Sequence, residues 1–311
     1  MRPIFKGGRI WIRGCLKLSR AHQITYFLAI LYIVLICLFM VWHHLWFSPD
    51  QFFVFGIFGA VFLGSFWQFL KDWTPFVFSF LSYEFLRGLA PLLNNKVHIN
   101  EMIDADMKFF GFIPTLKLQE ALFHPNNPQW YDVAAVILYS LHFIVPMMAA
   151  FIFWVINKEI FREFAIALIA LSFMAYITYV AYPAMPPWLA SNKGYLPPLT
   201  KVLDNTIVQM GHPMTMPTIY SLFRGDEVAA VPSLHAAYPL LVMLFCIKQF
   251  KKWGFLLLPY VMGVWFTVIY GGEHYFIDVL LGALYALVVF IVVANRQRFS
   301  VKIFPLSVLK T

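Results

Sequence analysis

The sequence predicts an all-α, polytopic membrane protein of about eight transmembrane helices with a six-helix core. Three observations lead there. Of the 311 residues, 61% are hydrophobic and only 12% are charged, about half the charged share of a soluble domain. Several apolar runs reach or exceed the roughly 20 residues that cross a bilayer. The basic residues sit in short segments beside those runs rather than in one patch. A net charge of +8 distributed in that way reads as a topology signal with contact to anionic lipid. Nucleic acid is not expected as a partner.

The elements follow in order. Residues 1–23 carry Arg2, Lys6, Arg9, Arg13, Lys17 and Arg20 with no acid. The apolar run at 24–42 is longer than a signal-peptide core and lacks a small-residue cleavage site, so an uncleaved anchor is expected. Further spans are expected at about 52–70, 73–93, 130–156, 164–182, 233–247, 254–270 and 275–294. Asp72 or Thr74, followed by Pro75, is a plausible start for the third of the eight. The chain thus divides into a head with two spans (1–72), a six-span core (73–294) and a basic tail (295–311).

With the amino terminus inside, the inner segments hold sixteen Lys and Arg and the outer loops six: Lys96, Lys108, Lys117, Lys193, Lys201 and Arg224. Arg87 alone lies within a span. By the positive-inside rule both termini are cytoplasmic, and loops 94–129 and 183–231 are extracytoplasmic or lumenal. Within the first loop, 105–113 and 117–123 read as short amphipathic pieces at the membrane surface. The second is rich in Pro and Gly, is not expected to be regular, and is either a surface connection or a lid. Cys15, Cys37 and Cys246 have no metal or disulfide spacing, so neither zinc nor a disulfide framework is expected.

The chemistry gathers between residues 231 and 282. Val231-Pro-Ser-Leu-His235 opens one apolar run, and Gly272-Glu-His-Tyr-Phe-Ile-Asp278 follows the next. If the two runs form a hairpin, with Lys248, Lys251 and Lys252 at its turn, His235 and His274 face the same side. His274 and Asp278 lie four apart, on one helix face. Taken singly, Ser233 is an ordinary N-cap, and His274 with Asp278 is an ordinary helix-end hydrogen bond. Together they place two imidazoles and a carboxylate at two helix starts, where N–H groups and dipoles favour an anion.

These motifs resemble the second and third signatures of the type-2 phosphatidic acid phosphatase superfamily, Pro-Ser-x-His and Gly-x-His-x-x-x-Asp. Within it the chain is most similar to the inositolphosphotransferase branch, through Tyr182-Pro-Ala-Met-Pro-Pro-Trp188, Val231–His235 and His274–Asp278. The resemblance implies His235, His274 and Asp278 as catalytic residues, Ser233 and Trp188 at the substrate site, and no cofactor or metal. It also implies membrane-lipid substrates and transfer of a phosphoryl head group through a phosphohistidine.

The sequence departs from the family at its phosphate-binding cations. Tyr182–Trp188 lacks the first signature's Lys and Arg, and Val268 stands where the third carries an Arg. Arg87, about 9 Å from the outer end of its span, is one replacement, although Glu84 three residues away offers it a plain ion pair. Arg224 is the other candidate. His142 reads as an interhelical hydrogen-bond donor, and His43, His44, His98, His124 and His212 as interfacial residues. A phosphatase acting on lipid phosphate or isoprenyl diphosphate is the nearest alternative. A transporter or channel is more distant, since it would need ionisable residues through the whole bilayer depth.

Overall fold

The computed structural model describes residues 49–210 and 226–295. The expected span at 24–42, Cys15, Cys37, His43, His44, His212, Arg224 and the tail beyond Asn295 lie outside them. Among the described residues regular structure is helical, apart from isolated β-bridges joining His98, Ala184 and Ala229. Five stretches are long and apolar enough to cross a membrane: Phe66–Leu93, Trp130–Ile156, Lys158–Ala181, Leu234–Tyr270 and Phe276–Ala294. Their outward faces carry Trp67, Phe78, Phe85 and Ile177, all well exposed, as lipid-facing residues are. The protein is an integral, multi-pass membrane protein.

The first described segment corrects the expected span at 52–70. Helix α1, Pro49–Phe62, has 14 residues, about 21 Å at 1.5 Å per residue and short of a roughly 30 Å hydrocarbon core. Gly64, at φ +65, adopts the left-handed conformation that turns the chain. Helix α2, Phe66–Leu93, then begins. Asp72 is therefore not a helix start. It lies inside α2, where its Oδ2 accepts from Gln68 Nε2 at 3.0 Å and from Trp154 Nε1 at 2.8 Å.

The two amphipathic pieces are helices α3, Asn100–Phe110, and α4, Pro114–Leu122. Helices α5, Trp130–Ile156, and α6, Lys158–Ala181, follow. They meet at Asn157, whose side-chain oxygen accepts from Glu159 N and Ile160 N. One residue thus ends a helix and caps the next, which explains why α6 starts at Lys158 and not near 164. Loop 183–231 is more regular than expected, since it holds α7, Pro187–Asn192, and α8, Val202–Gln209.

Leu234–Tyr270 doubles back. Helix α9, Leu234–Phe250, ends where Lys251 takes φ 59, a 3-10 turn covers Lys251–Leu257, and α10, Leu258–Tyr270, returns. Helix α11, Phe276–Ala294, completes the described chain. Small residues let α9 and α11 approach closely. A methyl group on Gly282 would strike the carbonyl oxygen of Ser233, and Ala236, Ala237 and Ala286 are fully buried. Phe153, Phe164 and Phe245 pack edge to face at the other end of the bundle. The apolar core runs along α9 from Leu234 to Phe245, and the half-buried His235 in its first turn is left for the site.

Candidate active site

His235 stands in the first turn of α9, and His274 lies one residue ahead of Tyr275, the N-cap of α11. Their rings meet, with His235 Nδ1 3.0 Å from His274 Nε2. The His274 backbone is set by the turn that closes α10. Gly272 takes φ +80, and Glu273 N and His274 N both donate to the Val268 carbonyl at 3.0 Å. Ser233 N donates to Asp278 O at 3.0 Å, tying the two helix starts together.

The other ring nitrogen of His274 faces two acceptors, one expected and one not. Nδ1 lies 3.0 Å from the carbonyl oxygen of Ala230, and Asp278 Oδ2 is farther away at 3.5 Å. A carbonyl can only accept, so Nδ1 carries the proton and a neutral His274 keeps its lone pair on Nε2. His235 Nδ1–H then donates to that lone pair. Asp278 is fully buried and accepts from Tyr275 N at 2.9 Å, so it caps α11 and places a carboxyl beside the imidazole. The Ala230 carbonyl is held in turn, because Tyr179 Oη donates to Pro232 O at 2.9 Å and Ala230 N donates to Ala184 O.

The histidine pair lies on a cavity of about 340 Å³. Arg87, Trp188, Lys201 and Glu273 line it together with both histidines. Arg87 realises both readings, since it donates to Glu84 through Nε at 3.2 Å and its terminal nitrogen at 2.8 Å and also borders the cavity. Val268 is fully buried in an apolar cluster with Ala236, Val264 and Val279. A cation cannot come from that position here. Ser233 does not line the cavity: its Oγ accepts from Ala236 N as the N-cap of α9.

Lys201 emerges as a second cation at the cavity. Its Nζ lies 2.9 Å from Asp204, 3.6 Å from Glu273 and 5.0 Å above the Trp188 ring. Burial acts to lower its pKa, but the carboxylates of Glu273 and Asp204 outweigh it and hold the ammonium above its ordinary value. Burial pushes the Glu273 carboxyl up, with Lys201 opposing, and likewise raises Asp226 against the Val228 N–H. Gln119 fastens this side, donating to Thr200 O and Tyr270 O at 2.8 Å each and accepting from Thr200 N. Nothing in the spacing of Lys201 or Gln119 marks them. Glu273, by contrast, sits inside the motif, directly before His274.

His142 is not the interhelical donor expected. Its Nδ1 faces the Tyr139 carbonyl on its own helix, and its ring packs on His235 at 4.2 Å. Tyr139 stacks on His235 at 4.7 Å, so the two rings define the plane of that imidazole. His98 pairs with Glu101 at 2.7 Å and stacks on Tyr182, while His124 is exposed. The arrangement offers a lone-pair nitrogen, a facing N–H, two cations and a shaped cavity. Such groups can serve acid–base and charge-stabilising roles in phosphoryl transfer.

The sequence pattern of the PAP2 superfamily matches residues 108–292. The chain is also 28% identical, over 218 residues, to the phosphoinositol dihydroceramide synthase of Bacteroides thetaiotaomicron, covering 67% of this chain and 71% of that one. No solved structure matches the chain.

Proposed function

The chain belongs to the PAP2 superfamily and is an enzyme of its phosphatase and phosphotransferase type; from that premise we propose that it transfers a phosphoinositol head group from a lipid donor to a lipid hydroxyl through a phosphohistidine. The observation that carries the reading is the His235–His274 pair, 3.0 Å apart at the cavity, with a carbonyl on His274 Nδ1. His274 Nε2 attacks phosphorus, forming the N–P bond as the P–O bond to diacylglycerol breaks. His235 Nδ1–H protonates the departing oxygen. In the second half His235 takes the proton of the acceptor hydroxyl, whose oxygen attacks phosphorus and releases His274. Phosphorus needs about 3 Å on each side, so the two rings part when the donor enters.

Arg87 and Lys201 would hold the phosphoryl oxygens, with Arg224 a further candidate outside the described residues. The cavity also bears Glu84, Asp226, Glu227 and Glu273. Four carboxylates beside two cations suit a head group rich in hydroxyl donors better than a bare phosphate. The relative named for phosphoinositol dihydroceramide synthesis supports that substrate class, with a ceramide-type hydroxyl as acceptor. Purified protein given phosphatidylinositol and ceramide should form phosphoinositol ceramide and diacylglycerol in equal amounts. Release of water-soluble inositol phosphate instead would make the enzyme a hydrolase and sink the transferase reading.

Arg87→Lys retains charge but loses the planar fork. It is expected to lower kcat/KM by about 10- to 100-fold, the worth of a charge-assisted hydrogen bond. Near-normal kinetics would move anion binding to Lys201 or Arg224.

The charge bias further supports a site that faces the extracytoplasmic or lumenal side, with both termini and Lys252 in the cytoplasm. With the three native cysteines replaced, an impermeant maleimide applied to sealed right-side-out vesicles should label Asn192→Cys and spare Lys252→Cys. The opposite pattern would put the site in the cytoplasm.

A further inference from the structure

A helix start leaves N–H groups without intrahelical partners, and the start of α11 adjoins His274. Two carboxylates meet those donors. Tyr275 N donates to Asp278, the helix's own residue, at 2.9 Å. Phe276 N donates to Asp106 Oδ2 at 3.0 Å, and Ile277 N donates to Asp106 Oδ1 at 3.1 Å. Asp106 belongs to α3, 170 residues from Phe276 in sequence, and is 0% exposed.

Successive N–H groups of a helix diverge by about 100° around its axis. A carboxylate that accepts from both is therefore restricted in place, and so is the rotation of the helix start. Phe110 and Phe109 pack on Phe276 at 4.9 and 6.1 Å, closing the same junction with apolar surface. Burial pushes the Asp106 carboxyl up to about 6 against the pull of the two N–H groups. A buried carboxylate costs free energy that a purely packing contact would avoid. Asp106 stands just ahead of the stretch that matches the family pattern.

We propose that Asp106 is a positioning residue for phosphoryl transfer: from α3 it clamps the first turn of α11 and so holds His274 Nε2 in line with the cavity and His235. This rests on the reading of His274 as the nucleophile. Asp106→Asn keeps the size of the side chain but replaces one acceptor with an NH₂ that faces a backbone N–H. Misplacement of a reacting atom by about 1 Å costs roughly 10²-fold.

The test is steady-state and rapid-quench kinetics of full-length Asp106→Asn, normalised to folded, monodisperse protein. The expected result is a fall in kcat of about 10- to 100-fold with KM within about 3-fold of wild type. The rate of phosphoryl-enzyme formation should fall by the same factor. A role in stability alone would reduce the folded yield and leave kcat per folded molecule within about 2-fold of wild type, and that result overturns the proposal. A change confined to KM overturns it too. Asp106→Ala, which removes both acceptors, should be slower still where it folds; the Asn variant decides where it does not. His274→Ala is run beside them. Activity surviving there overturns the catalytic reading and the clamp with it, whereas an inactive His274→Ala beside a normal Asp106→Asn overturns the clamp alone.

Discussion

Replacing His274 with alanine is expected to lower turnover by about 10⁴-fold or more and to abolish any covalent intermediate, as loss of a nucleophile does in other double displacements. The size of the effect follows from the geometry. His274 Nε2 carries the lone pair because Nδ1 faces the Ala230 carbonyl at 3.0 Å, and that Nε2 is the nitrogen that meets His235 Nδ1 at 3.0 Å. His274→Gln retains an amide N–H with which to satisfy Ala230, so its loss should be as deep without the cost of an unpaired buried carbonyl. Freeze-quench with lipid labelled in its phosphate would check both variants. Acid-labile label persisting on either protein would show that the nucleophile lies elsewhere.

His235→Ala is expected to slow the first half-reaction by about 10²- to 10⁴-fold with a natural lipid ester, the usual worth of a general acid. With a nitrophenyl leaving group, which needs no proton, the same half-reaction should fall less than about 10-fold. Single-turnover release of each leaving group measures the two numbers directly. Equal losses with both esters would deny His235 the acid role and leave it as a packing partner of Tyr139 and His142.

How far the sequence revealed this protein depended on where the physics leaves a pattern. The apolar runs that became α5, α6 and α11 were legible because polar residues bound them. The break at Gly64 was not, since it falls within a continuous apolar run where hydropathy does not change. Likewise, α7 and α8 form in a Pro-rich loop because Pro187 starts a helix well and the loop packs on the bundle.

At the site, His235 and His274 could be paired from sequence because a hairpin of two apolar runs has to bring its ends together. The Ala230 carbonyl could not be foreseen, since a backbone acceptor has no residue type to mark it. Asp278 was therefore expected alone at Nδ1, where Ala230 joins it at the shorter distance. Lys201 was hidden in a polar loop. Asp106 was hidden because its partners are backbone N–H groups at the far end of the chain.

The most direct test of the account is the mass and location of the trapped intermediate. Purified enzyme would be mixed with phosphatidylinositol labelled in both phosphorus and inositol, without acceptor, quenched in base, digested and sequenced. The account predicts that both labels ride together on the imidazole of His274 and pass together to ceramide when it is added before the quench. Inositol lost from the adduct, label on His235, or turnover with no adduct at all would contradict it.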